Sequence, residues 1–60
     1  MHWLAEMKLK DGREIKKKFP YRAKNYQEEE KEQYEAECWL TSQAKVSDVE
    51  SYSVSFIDED

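Results

Sequence analysis

The sequence predicts an α+β domain with its elements in the order ββαβ, and three observations predict it. Apolar and polar residues alternate on either side of Asp11-Gly12, a run free of Gly and Pro fills residues 26–44, and alternation returns over residues 51–56. Alternation is the period of a half-buried strand, and a long uninterrupted run rich in glutamate favours a helix. Sixty residues make a single small domain, 1–60, which buries only about 60% of the surface its unfolded chain exposes. Eight aromatic residues, among them Trp3, Phe19, Trp39 and Phe56, supply the large side chains such a core needs.

The first strand carries Trp3, Ala5, Met7 and Leu9 on one face, with Glu6, Lys8 and Lys10 between them. Asp11-Gly12 marks a turn, and Ile15, Phe19 and Tyr21 resume the pattern, so the first two strands form a hairpin. A two-residue loop would set Met7 against Lys16 and Lys8 against Ile15, mixing charge and apolar surface on both faces. A three-residue loop, Lys10-Asp11-Gly12, with Gly12 in the left-handed region, instead pairs Met7 with Ile15 and Trp3 with Phe19. The opposite face then gains Lys8 beside Glu14 and Glu6 beside Lys16, favourable pairs of about 0.2–1 kcal/mol each. Lys17 interrupts the inner face of the second strand and Pro20 lacks an N–H, which places that strand at a sheet edge.

Asn25 is suited to cap a helix, and Glu28 completes the capping pattern. Over residues 26–44 the helical wheel gathers Tyr26, Tyr34, Leu40, Thr41 and Ala44 on one broad face, with Ala36 and Cys38 at its margins, and that face is expected to meet the sheet. Residues 45–48 read as a loop. Tyr52, Val54 and Phe56 then alternate with Ser51, Ser53 and Ser55 in a third strand. A right-handed crossover to this strand, parallel to the second, gives sheet order 2-1-3 with the helix on one face.

Composition argues against chemistry at this chain. His2 and Cys38 are its only histidine and cysteine, so paired metal-ligand spacing and a Cys–His nucleophile are absent, and no disulfide can close within it. One glycine, Gly12, makes no phosphate loop, and no cofactor motif is present. The expectation is therefore a non-enzyme without metal or cofactor. The N-terminus lacks the apolar run of a signal peptide and no segment reaches the length of a membrane span, which leads to a soluble, cytoplasmic protein.

Charge is segregated: residues 1–24 carry a net +5 and residues 25–60 a net −9, which give the chain's −4. Glu28, Glu29, Glu32 and Glu35 are expected to project from the helix as an anionic surface, joined by Asp58-Glu59-Asp60. Such a surface suits the basic groove of a nucleic-acid-binding protein or nuclease, imitating phosphate charge and speeding association. Trp39 lies away from the expected packing stripe, so it either closes the end of the sheet or offers an aromatic anchor to another chain. Lys8, Lys16 and Lys18 on the far sheet face form the alternative, a direct nucleic-acid face, although Glu6 and Glu14 interleave with them. A small structural subunit is a third reading, and a homodimer would relieve the small core.

The run Met7-Lys8-Leu9-Lys10-Asp11-Gly12-Arg13-Glu14-Ile15, followed by a glutamate-rich helix and a closing strand, resembles the short orphan proteins of bacterial phages and mobile elements, anti-CRISPR and other anti-defence inhibitors among them. That resemblance implies a non-enzymatic protein that blocks a host nuclease or its nucleic-acid site.

Overall fold

The hairpin adopts the register that its two faces demand. In this computed structural model, which describes residues 1–59, β1 (His2–Leu9) and β2 (Glu14–Pro20) run antiparallel. Met7 faces Ile15 and Trp3 faces Phe19, while Lys8 faces Glu14 and Glu6 faces Lys16. The Leu9 N–H donates to the Arg13 carbonyl at 2.9 Å and the Gly12 N–H to the Leu9 carbonyl at 3.0 Å, which leaves Lys10, Asp11 and Gly12 as the loop. Gly12 sits at φ +96°, where a side chain would be strained. The Asp11 carboxylate accepts from the Arg13 N–H at 3.0 Å and from Arg13 Nε at 2.7 Å. The backbone contact, above the guanidinium's, holds the Asp11 carboxyl below its ordinary range.

β3 (Val49–Ile57) lies antiparallel along the other side of β1, giving the order β2-β1-β3. The first strand is thus central and the second is an edge, as the sequence predicts. A register shift between Lys8 and Leu9 brings Val49 opposite Leu9, so β3 begins ahead of its alternating stretch. The segment before it contains a short 3-10 turn, Val46–Asp48, and the Asp48 carbonyl accepts the Lys10 N–H at 2.9 Å.

Helix α1 (Tyr26–Thr41) starts where its cap predicts. Asn25 is extended, and its Oδ1 accepts the Glu28 N–H at 2.9 Å. The Glu28 carboxylate reaches back to the N–H of Lys24, the residue before the cap, at 3.2 Å, which ties the entering chain to the first turn. The helix stops at Thr41 rather than continuing to Ala44. Ser42 Oγ and Gln43 Nε2 both donate to the Trp39 carbonyl, at 2.7 and 3.1 Å, and the Ser42 N–H takes the Cys38 carbonyl at 3.1 Å. Polar side chains here satisfy the last helical carbonyls that another turn would otherwise have used.

The core forms between α1 and one face of the sheet. Trp3, Ala5, Met7 and Leu9 of β1 are buried with Ala36 and Leu40 of α1, and Ile15, Phe19, Trp39, Ala44, Val49 and Val54 pack against this centre. The helix does not present the face expected of it. Tyr26 and Tyr34 are 72% and 66% exposed, and Thr41 and Cys38 also face solvent. The helix is turned by about a quarter of its circumference relative to the expected orientation, counted at 3.6 residues per turn, so that Ala36, Trp39 and Leu40 point inward with Glu29 and Glu32.

Leu40 is fully buried in a core with few members. Leu40→Ala is expected to cost about 2–5 kcal/mol, a large share of what a domain this size possesses. Tyr34→Ala, on the exposed side, should stay within about 0.5 kcal/mol. Urea unfolding followed by circular dichroism compares the two directly.

Candidate functional site

Three of the four glutamates expected to project outward are partly buried, and each accepts hydrogen bonds from the protein itself. Glu32 accepts from Trp3 Nε1 at 2.9 Å and from the Arg22 N–H at 3.2 and 3.3 Å. Glu29 accepts from the Tyr21 hydroxyl, and Glu28 is committed to the helix cap. Glu35 alone of the four is exposed. The expectation of an anionic surface built from this quartet is corrected accordingly. Its physical cause lies under the helix: the buried ring of Trp3 in β1 and the half-buried ring of Tyr21, just past β2, carry donors that need acceptors, and carboxylates three residues apart on α1 supply them. No Lys or Arg among the described residues forms an ion pair with these four side chains.

The acceptors stand beside an aromatic cluster. Trp3 packs against Tyr21 and Phe56 with ring centroids 5.6 Å apart in both cases, and Tyr21 meets Phe56 edge-on at 5.1 Å. Hydrogen bonding to Glu29, with partial burial and the negative charge of Glu29 and Glu32, pushes the Tyr21 hydroxyl up to about 12. Trp39 is half-buried and packs against β2. Its ring lies 5.8 Å from that of Phe19, edge to face, and Lys17 Nζ stands 4.9 Å from the Trp39 centroid and 5.1 Å from that of Phe19. Lys17, the residue that interrupts the inner face, is thus accommodated as a cation over two rings.

The outward side of α1 carries a different set. Tyr26, Glu30, Tyr34 and Cys38 follow one another at four-residue spacing along an exposed ridge. Hydrogen bonding to Glu30 and its charge raise the Tyr26 hydroxyl, and hydrogen bonding with Cys38 raises that of Tyr34. Glu35 and Glu37 flank the ridge, with Lys31 as the opposing charge. Sequence reasoning overlooked this ridge because tyrosine counts as apolar in a helical wheel. Centring the wheel on Leu40 and Ala36, the aliphatic pair four residues apart, would have turned Tyr34 outward and moved Tyr26 to the margin of the packed face.

The sheet face away from the helix carries Lys8 and Lys16, which pair at 3.9 Å with Glu50 and Glu14 respectively. With Glu6 and three residues of β3 they line an open hollow of about 280 Å³, where charges of both signs alternate. Lys18 extends the row, opposite Leu4. Asp58 and Glu59 are exposed at the acidic end, and Asp60 lies outside the described residues. Among the described residues no group of three or more His, Cys, Asp or Glu side chains is placed to hold a metal ion, and no helix is long and apolar enough to cross a membrane. Comparison with protein-family models, curated proteins and solved structures finds no match for this chain.

Two outcomes test the internal role of the glutamates. Glu32→Ala leaves the Trp3 indole N–H without its acceptor and should cost about 1–3 kcal/mol, whereas Glu35→Ala should stay within about 0.5 kcal/mol. Thermal melts resolve this, since each kcal/mol moves the midpoint of so small a domain by about 4–8 °C. The second outcome concerns pH. A tyrosine whose folded pKa is raised stabilises the fold fully below the unfolded value of about 10. That contribution declines as pH rises from about 10 towards the folded value of about 12. Absorbance titration near the tyrosinate band should lose its highest-pH component in Tyr21→Phe.

Proposed function

We propose that this chain is a non-enzymatic protein-binding module of the cytoplasm that inhibits a basic, nucleic-acid-binding partner or nuclease. The observation that carries the reading is the ridge on α1, where two tyrosines stand largely exposed around Glu30. Tyrosine is among the residues that most often anchor protein interfaces, because it adds large contact area with little conformational freedom to lose. Glu30, Glu35 and Glu37, against the single Lys31, give the ridge a negative balance that complements a Lys- or Arg-rich groove. Charge mimicry here rests on this outer set rather than on Glu28, Glu29 and Glu32, which serve the fold. An inhibitor of this kind is also what the resemblance to anti-defence proteins of phages and mobile elements implies.

The lysine row on the opposite face is a weaker basis for phosphate contacts. Its cations share the surface with Glu6, Glu14 and Glu50, so a duplex would meet repulsion beside each attraction.

Nuclear magnetic resonance titration separates the alternatives. A short Arg/Lys-rich peptide should shift the amides of Tyr26, Glu30 and Tyr34, with the effect weakening as salt is added. Tyr34→Ala should weaken that binding by about tenfold, which corresponds to the loss of about 1.4 kcal/mol. A short duplex of DNA should leave the spectrum unchanged. Shifts at Lys8, Lys16 and Lys18 on adding the duplex, with none from the peptide, would replace this proposal by direct nucleic-acid binding.

A further inference from the structure

The two edges of the sheet are built in opposite ways. On β2, Lys16, Lys17 and Lys18 follow one another, Pro20 lacks a donor, and Lys17 points towards the helix side, where its ammonium covers two rings. These are the devices by which edge strands discourage another strand from pairing. Beyond Glu50 and the register shift at its start, β3 has none of them. Over residues 51–57 it carries no charge, no proline and no glycine, only serine alternating with Tyr52, Val54 and Phe56, followed by Ile57. Such a segment at an open edge is a template for strand addition.

The helix also leaves this edge uncovered. Tyr52 and Phe56 belong to the face on which α1 packs, yet they are 52% and 46% exposed. Beside Tyr52 an open groove of about 340 Å³ runs between the end of the helix and the start of β3, lined among others by Thr41, Ala44, Val46 and Val49. Val46 stands 83% exposed at this groove.

We propose that the occupant of this edge is a second copy of the chain, paired β3 to β3 in antiparallel fashion to make one continuous six-stranded sheet. Charge identifies the partner. Two-fold association sets a patch against itself, and a chain of net charge −4 repels its own copy wherever the patch is charged. Residues 51–57 are neutral and meet their own image without that cost, while Glu50 and Asp58, which the pairing sets opposite each other at its two ends, supply the repulsion that salt screens. An axis through Val54 places Val54 beside its counterpart and Tyr52 beside Phe56 of the other copy. That Phe56 then lies at the mouth of the groove next to Tyr52. The exposed aromatic row becomes the centre of a shared layer, with the serines of both copies forming the polar back of the sheet. The ridge of Tyr26 and Tyr34 takes no part, so this pairing stands or falls independently of the binding role given to the helix.

Sedimentation equilibrium across a range of concentrations, at low and at raised salt, tests the pairing. The expected result is a mass that doubles with concentration and does so at lower concentration when salt screens the mutual repulsion. The double variant Ser53→Lys/Ser55→Lys places two exposed cations on β3 without touching the core, and its expected behaviour is loss of the dimer with an unchanged circular dichroism spectrum. This variant lowers the net negative charge, so its failure to associate cannot come from greater overall repulsion. Hydrogen exchange at high and low concentration provides a measurement on the unaltered chain, with added protection expected in residues 51–57 alone. A mass that stays monomeric at every concentration overturns the proposal. So does a dimer that survives the double variant, or concentration-dependent protection confined to β2 or α1.

Discussion

Among the described residues β1 is the only strand with a hydrogen-bonded neighbour on both sides, and its inward side chains supply four of the six buried hydrophobic residues. Every other element is placed by reference to it. β2 reads its register from Met7 and Trp3, β3 lies against the same residues from the other side, and α1 crosses the row through Ala36 and Leu40. The small residue Ala5, fully buried at the middle of this row, is consistent with close approach of the helix to the sheet there. A domain of this size has little apolar surface to bury, and concentrating it along one strand produces a thin but continuous core.

Hydrogen bonds supplement that core. Glu29 and Glu32 accept donors from Tyr21, Trp3 and the Arg22 backbone, so the first half of α1 is held down by polar contacts while the second half is held by Leu40 and Trp39. A charged acceptor forms a stronger hydrogen bond than a neutral one, and partial burial reduces competition from water. The lysine on the inner face of β2 follows the same economy of material: Lys17 packs its chain and charge over Phe19 and Trp39. Charged residues thereby do structural work that a larger domain assigns to leucine and isoleucine.

What could be read from the sequence follows from which signals are local. The hairpin register, the Asn25 cap and the edge position of β2 rest on short-range patterns of alternation, turn residues and the absence of a donor at Pro20, and the strand order follows from these elements by the handedness of the crossover. The orientation of α1 does not. A wheel that scores tyrosine as apolar and glutamate as solvated turns Tyr26 and Tyr34 inward, because it contains no term for the donors that Trp3 and Tyr21 bring from other elements. Those donors decide the outcome, since a buried indole or a half-buried phenol without an acceptor is costly. The same omission assigned Glu29 and Glu32 to the outer surface. The early end of the helix at Thr41 is another case: Ser42 and Gln43 compete for its carbonyls, and a survey for glycine and proline alone does not register them.

The concentration of buried surface in residues 3–9 has a consequence for how this fold can change over time. Selection for folding falls heavily on one short alternating strand and on a pair of helical positions that meet it. The serine row and the outer side of the helix carry much weaker demands from folding, so they are free to vary. Descendants of such a domain would keep a common shape while losing nearly all visible kinship.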